Sequence, residues 1–246
     1  KNINKRSFQW SSSFNLTVPK NKLLEYPGYD FSGSYSEYLL GQSVNIHQFY
    51  HFLGIDPANS AYNFKSRSGN TITTINDPSN RYILINPDPK FYGGFQNTFV
   101  YKGIQLDVLF QFTKQTGRDY FLGPNPAGLF VAGANNQPVW QLDRWQKPGD
   151  EKNYPKYISS GSTLFYRNIK SNSDAVWSDA SYIKLKNLSL SCQLPQKWKS
   201  AAHLSSCKLY VQGQNLLTIT NYKGLDPESK SSLSLPPLRV ITIGVQ

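Results

Sequence analysis

The stretch from Phe91 to Thr116 constrains this chain most, because it reads as two facing β-strands with one face apolar throughout and the other mostly polar. Phe95, Phe99 and Tyr101 alternate with Gln96, Thr98 and Val100. After Lys102-Gly103, Ile104, Leu106, Val108, Phe110 and Phe112 alternate with Gln105, Asp107, Leu109 and Gln111. Strand side chains point to opposite faces at period two, so each strand carries an oily side and a wetter one. The Lys-Gly pair suits a two-residue turn that needs positive φ, which sets Tyr101 opposite Ile104 and Phe99 opposite Leu106. The oily faces then coincide. An outer-membrane barrel wall, with lipid on one side and water on the other, fits this pair. A large soluble β-sandwich fits it as well.

Aromatic residues make up 14% of the 246, with 16 Tyr and 14 Phe, a bias toward strands. No run of eighteen apolar residues occurs, which excludes a membrane-spanning helix but not a barrel, whose alternating strands leave no hydropathy peak. The chain begins at Lys1 and contains no Met, so it is expected to be a mature or internal piece of a longer exported protein.

A net charge of +11 invites a nucleic-acid reading, but the basic residues are scattered singly. The pairs Lys184/Lys186 and Lys197/Lys199 are too small to track a phosphate backbone, so no nucleic-acid partner is expected. Attraction to anionic lipid head groups or acidic solutes accounts for the charge as simply. Cys192 and Cys207 lie near the ends of adjacent predicted strands, where they either pair in an oxidising compartment or remain two small residues on a greasy face. Neither Cys has metal-ligand spacing with His47, His51 or His203, and no metal or other cofactor is expected. His47 and His51 fall on one polar strand face, where they are expected to meet water.

Seven strands follow from alternation: Ser7 to Val18, Ser43 to Leu53, Phe91 to Tyr101, Ile104 to Thr116, Tyr182 to Leu194, Ser206 to Thr220 and Leu238 to Gln246. The second is weakened by Gln48. A change of parity at Lys186-Asn187 predicts a β-bulge. Short connections (19–25, 102–103, 195–205) alternate with long ones (54–90, 117–181, 221–236). A sandwich has no reason to sort its loops so, whereas an outer-membrane barrel has short turns inside and long loops outside. About twelve residues at ~3.3 Å, tilted by ~40°, rise ~30 Å, enough to cross an apolar band ~25 Å tall. Seven strands cannot close such a barrel alone.

Several segments resemble the TonB-linked outer-membrane transporters of the SusC/RagA type. Ser178 to Pro195, SDASYIKLKNLSLSCQLP, is similar to a strand of the family's penultimate region, and Leu209 to Glu228, LYVQGQNLLTITNYKGLDPE, is as characteristic. Asn86 to Thr98, Asn136 to Pro148 with Asp143-Arg144-Trp145, and Gly54-Ile55-Asp56-Pro57 add further matches in the family's order. The resemblance implies an all-β chain, about seven strands from the C-terminal portion of a 22-stranded transmembrane antiparallel barrel. On that reading residues 1–246 are one part of the barrel domain, with the plug and earlier strands elsewhere. The family usually has Gly-Tyr where this chain has Ser191-Cys192. It also ends on an aromatic residue, which Gln246 is not, implying that a few residues follow.

The implied function is TonB-dependent import of large nutrients, glycan fragments or peptides, across the outer membrane, with a SusD-like surface lipoprotein as lid. The TonB complex would act through a region outside this chain. Within loop 117–181, Tyr120, Phe121, Phe130, Trp140, Trp145, Tyr154 and Tyr157 are candidates to stack on ligand or to anchor a partner, although a loop of this length also needs aromatics to pack on itself. Parity makes Gln96, Thr98, Gln105, Asp107, Gln111, Lys208, Tyr210, Gln212 and Gln214 candidates for the lumen. Trp10, Tyr101, Trp177 and Tyr182 lie near strand ends and suit the interfacial aromatic girdles facing outer-membrane lipid. Asp143-Arg144 reads as a local ion pair, and Asp56, Asp226 and Glu228 as turn residues rather than calcium ligands. No G-x-S-x-G, P-loop or Cys-His arrangement appears, so no enzyme is expected; a glycosidase-like carboxylate pair formed in three dimensions remains an alternative. A secreted or surface-attached carbohydrate-binding β-sandwich is the other.

Overall fold

The computed structural model describes residues 1–5, 7–28, 38–119, 139–157, 172–231 and 234–246. In chain order its strands are β1 (Ile3–Lys5), β2 (Phe8–Thr17), β3 (His47–Phe49), β4 (His51–Ile55), β5 (Tyr62–Lys65), β6 (Thr71–Ile72), β7 (Ile83–Ile85), β8 (Phe91–Tyr101), β9 (Ile104–Lys114), β10 (Thr116–Arg118), β11 (Trp177–Asp179), β12 (Tyr182–Gln193), β13 (Lys208–Thr220) and β14 (Val240–Val245). Seven of them form one antiparallel sheet in the order β1-β2-β8-β9-β12-β13-β14. The others form three small sheets within the long connections.

The central hairpin follows from its sequence. Lys102 and Gly103 take φ of 45° and 85°, and the register sets Tyr101 against Ile104 and Phe99 against Leu106. Its oily face is less uniform than expected, because Asn97 shares it with Phe95 and Phe99, as Ser12 does with Trp10 and Phe14. These polar groups satisfy one another. Trp10 Nε1 and Ser12 Oγ both donate to Asn97 Oδ1, at 3.0 and 2.7 Å.

The bulge is present. Between Leu185 and Asn187, β12 slips against both neighbours, and Asn215 on β13 takes φ of 52°. An extra residue at this row reverses parity, so Ile183 and Leu185 before it, and Leu188 and Leu190 after it, stay on one face.

The predicted strand from 43 to 53 is not part of the wall. It breaks at Tyr50: His47–Phe49 pairs with Ile83–Ile85, His51–Ile55 pairs with Tyr62–Lys65, and Tyr50 itself bridges to Ser173. Nearby partners within the same connection outcompete the wall. The seventh wall strand is β1, whose three residues are too few to show alternation. Residues 19–25 are consequently no turn between neighbouring strands; the whole of 18–90 is one long connection, and the missing short one joins β1 to β2. The segment 195–205 contains a short helix, α1 (Gln196–Ala201).

Burial is inverted relative to a soluble sheet protein. The buried aromatic cluster, Tyr50, Tyr62 and Phe64 with Phe52, Ile55, Ile72 and Ile75 against it, lies in connection 18–90. On the sheet, Leu209 is 46% and Ile243 78% exposed. Among the described residues no second layer packs on the oily face, as a sandwich would require. Cys192 is exposed, Cys207 is buried, and both are free thiols.

Candidate functional site

The face opposite the oily one is built in cross-strand rows. One row runs Thr98, Asp107, Ser189, Gln212 and Thr242; the next runs Val100, Gln105, Ser191, Tyr210 and Gly244. All nine residues proposed from parity fall on this side: Gln96, Thr98, Gln105, Asp107 and Gln111 from the hairpin, and Lys208, Tyr210, Gln212 and Gln214 from β13. Asp107 is held by Thr98 Oγ1 at 2.6 Å and Gln105 Nε2 at 2.7 Å. Tyr210 lies across Gly244, where a side chain would collide with the ring.

Near the long-loop end this face carries an ion-pair network that sequence reading missed. Lys184 donates to Asp226 at 2.6 Å and to Glu228 at 2.8 Å, and Lys186 reaches Glu228 at 3.1 Å. Lys184 and Asp226 each leave only 4% of the side chain exposed. For Asp226, burial opposes the charged form, but the Lys184 hydrogen bond, the Ser229 N–H and the lysine charge outweigh it and hold the carboxyl below its ordinary value. The same balance, with both lysines as donors, lowers Glu228. Asp226 also accepts from Ser229 N, so it is a turn residue as expected, with its outer oxygen committed to a lysine. The loop after β13 is thereby tied to β12. Gln115 Nε2 adds a bond to Pro227 O at 2.7 Å and Tyr222 OH one to Arg118 O at 2.7 Å.

Connections 18–90 and 115–181 are tied to each other. Tyr50 N donates to Asn172 O, and Asp174 N to Tyr50 O. The Asp174 carboxylate takes Phe52 N at 2.8 Å and pairs with His51 Nδ1 at 2.6 Å. His51 therefore has a carboxylate partner, and His47 stacks on Trp177 at 6.0 Å, which corrects the expectation that both merely meet water. Asp88 pins the start of 18–90, accepting from Asn21, Ser43 and Asn45; these bonds outweigh burial and lower its carboxyl.

Of the loop aromatics, Tyr120, Phe121 and Phe130 lie outside the described residues, as does the Trp140 side chain. Trp145 is structural: 9% exposed, its Nε1 donates to Pro57 O at 2.7 Å, fixing this segment to the Asp56-Pro57 turn. Tyr154 is half-buried and its carbonyl accepts Trp145 N. Tyr157 is 37% exposed, with the Arg144 guanidinium 4.1 Å from its ring centroid. The expected Asp143–Arg144 pair does not form, because Arg144 turns to that ring and Asp143 pairs with Lys152. Asp56 accepts Ala58 N as a turn residue does.

Two girdle expectations are corrected. Trp177 packs between His47 and Phe49 inside the loops. Tyr182 is 5% exposed on the polar face, where it accepts from Gln111 at 3.3 Å. Trp10 and Tyr101 do lie on the oily face near the short-turn end. Among the described residues no group of three His, Cys, Asp or Glu is placed to hold a metal ion.

No protein-family model matches the chain. It is 28% identical over 258 aligned positions to TonB-dependent receptor P3 of Formosa agariphila, covering 93% of this chain and 24% of that protein. It is 23% identical to TonB-dependent receptor SusC of Bacteroides thetaiotaomicron, covering 94% of this chain and 23% of that one. The chain thus spans about a quarter of the length of the relatives it matches. Its fold is similar to that in the RagAB peptide importer in a closed-closed state (TM-score 0.76, 20% identity, 99% of this chain and 28% of that one). The open-open state gives a TM-score of 0.69 at 21% identity over 92% of this chain and 25% of that one. These relatives are receptors and transporters, not enzymes. Likeness that runs across nearly the whole chain, in sequence and in fold alike, makes it similar to the SusC/RagA-type TonB-dependent receptors, and its sheet similar to a stretch of an outer-membrane barrel wall.

Proposed function

We propose that this chain supplies part of the wall, lumen and external loops of a TonB-driven importer of large nutrients, glycan fragments or peptides, closed by a SusD-like surface lipoprotein. The observation that carries the reading is a likeness, across nearly the whole of this chain, to named TonB-dependent receptors and to a peptide importer, on a sheet whose oily face is uncovered among the described residues. Residues 1–246 act as the C-terminal part of the barrel domain, and strands outside the chain close the edges at β1 and β14. An open edge in lipid leaves backbone groups unpaired at several kcal/mol each. The TonB complex acts through a plug that is likewise outside the chain.

The nine polar-face residues line the lumen on this reading. Loops tied by Asp174, Trp145 and the Lys184 network form a fixed external rim, against which a lid closes. Within it the Arg144–Tyr157 stack is the exposed element suited to ligand or lid contact, offering a planar cation and a ring edge. Trp145 holds the segment in place.

The wall assignment is tested by spin-labelling Val108 and Asp107 in the full-length protein in membranes. A lipid-soluble quencher reaches position 108 and not 107; equal access refutes it. The rim assignment is tested by Arg144→Ala with Tyr157→Ala, which should lower uptake or lipoprotein docking at least tenfold with the barrel intact. If uptake and docking both survive, this part of the rim is only a cover.

A further inference from the structure

The oily face is not flat throughout. At the long-loop end of β8, β9, β12 and β13 a groove of about 370 Å³ opens on it. Phe112, Ile183 and Ile219 face it from three adjacent strands, aligned by register. Phe91 packs edge-on to Phe112 at 6.4 Å to close one side. Gly93 allows this arrangement, because the Phe112 ring lies over it where a side chain would stand. Ile183 and Ile219 are 47% and 59% exposed, so the floor is open rather than filled by protein.

Charge sits on one side of this groove only. Lys114, at the end of β9, forms the rim, paired at 2.8 Å with Asp179. Asp179 is pulled down to about 2, first by the Lys114 hydrogen bond and then by Ser181. Its carboxylate is thus saturated with donors, while the Lys114 ammonium has three protons and gives Asp179 one. Lys90 adjoins through its backbone, its N–H bonded to Lys114 O at 2.8 Å, while its side chain lines a separate cavity with Ile46, Leu84 and Trp177.

We infer that this groove seats one acyl chain of a phosphorylated glycolipid of the outer leaflet, with Lys114 meeting its phosphate. An apolar trough ending in a cation at the level where strands leave the membrane matches a ligand with an anionic head and a hydrocarbon tail. A flat wall would only be wetted by lipid in exchange, whereas this groove offers one chain apolar contacts from three adjacent strands. The inference rests on the proposed barrel, with the long loops outside.

The test uses the full-length protein reconstituted with lipid A, with its dephosphorylated form, or with phosphatidylcholine, followed by native mass spectrometry to count lipid retained per barrel. Wild type should retain one lipid A and at least fivefold less of the other two. Ile183→Trp, which fills the groove, should lose the lipid at least fivefold, whereas Leu209→Trp, on the same face at the short-turn end, should keep it. Lys114→Gln should reduce the preference for the phosphorylated form at least threefold. Equal retention by Ile183→Trp and Leu209→Trp, or by both forms of lipid A in wild type, overturns the site. Heat-modifiable migration of each variant separates the outcomes: a folded barrel without lipid refutes the groove alone, and failure of wild type to insert refutes the barrel.

Discussion

Replacing Lys184 by Met removes one partner of a buried ion pair and leaves the other charged. The pair spans 2.6 Å with 4% of each side chain exposed. Breaking such a pair costs about 3–5 kcal/mol, because the orphaned charge keeps its desolvation penalty without its partner. Asp226 has an escape, since it belongs to a loop that can swing into water. The cost should therefore appear as loop detachment rather than unfolding of the wall. At about 1.4 kcal/mol per decade, it raises the detached population roughly 10²- to 4 × 10³-fold. Glu228 keeps Lys186 at 3.1 Å, so the lower figure is expected. Trypsin added outside intact cells reads this population at the partly buried Lys230, because cleavage follows the open state when opening is fast. Lys184→Met should be cut about a hundredfold faster, with barrel melting unchanged. Lys184→Met with Asp226→Leu should return cleavage toward the wild-type rate, since no charge is left buried. Wild-type cleavage of the single variant, or faster cleavage of the double than of the single, refutes the anchoring role.

Three further outcomes follow from the same geometry. Asn97→Ala strips the acceptor from Trp10 Nε1 and Ser12 Oγ; at about 1–3 kcal/mol per unpaired group it should lower the barrel's denaturant midpoint, while Asn97→Leu combined with Ser12→Ala should be milder. Gly93→Val drives a side chain into the Asn15 carbonyl and the Phe112 ring, so the folded fraction in the membrane should collapse, whereas Gly94→Ala, 3.1 Å from the movable Asn15 Oδ1, should be tolerated. Asp226 and Glu228 titrate below their ordinary values of 3.8 and 4.5, so their contribution is complete above pH 4.5 and is lost as pH falls through the depressed folded values. Protease sensitivity of loop 221–236, read with an acid protease, should stay flat from pH 7 to 5 and rise below about 4.5; a rise near pH 6 would assign the anchoring to other groups.

What was legible depended on how far apart in sequence the causes lie. The hairpin at Lys102-Gly103 and the bulge beside Lys186 were readable because both are local: a turn needing positive φ, and a break in period two. The segment 43–53 misled because alternation reports a half-buried strand without naming its partner, and local partners at 62–65 and 83–85 divided it. β1 escaped because three residues carry no period. Parity placed the nine polar-face residues together, yet the pairing of Lys184 with Asp226 was not readable, since the two are 42 residues apart and Asp226 is on a loop. Trp177 and Tyr182 looked like girdle residues by position, but one is claimed by the loop core and the other faces the polar side.

The two apolar surfaces of this chain answer to different solvents. In the loops, Tyr50 and Phe64 are fully buried among neighbouring aromatics, so water drives their packing as in any soluble domain. On the wall, Leu209, Ile241 and Ile243 stand open, so packing within the chain cannot account for them. Polar groups obey the corresponding rule on each surface. Those at the external end can turn to water and are fixed only where charge is paired, as at Asp226. Those on the oily face have no such alternative, and Asn97, Ser12 and Trp10 must bond to one another. A sandwich would have hidden the wall's apolar side chains beneath a second sheet and left the polar ones free. The observed arrangement is the one expected where hydrocarbon replaces that sheet.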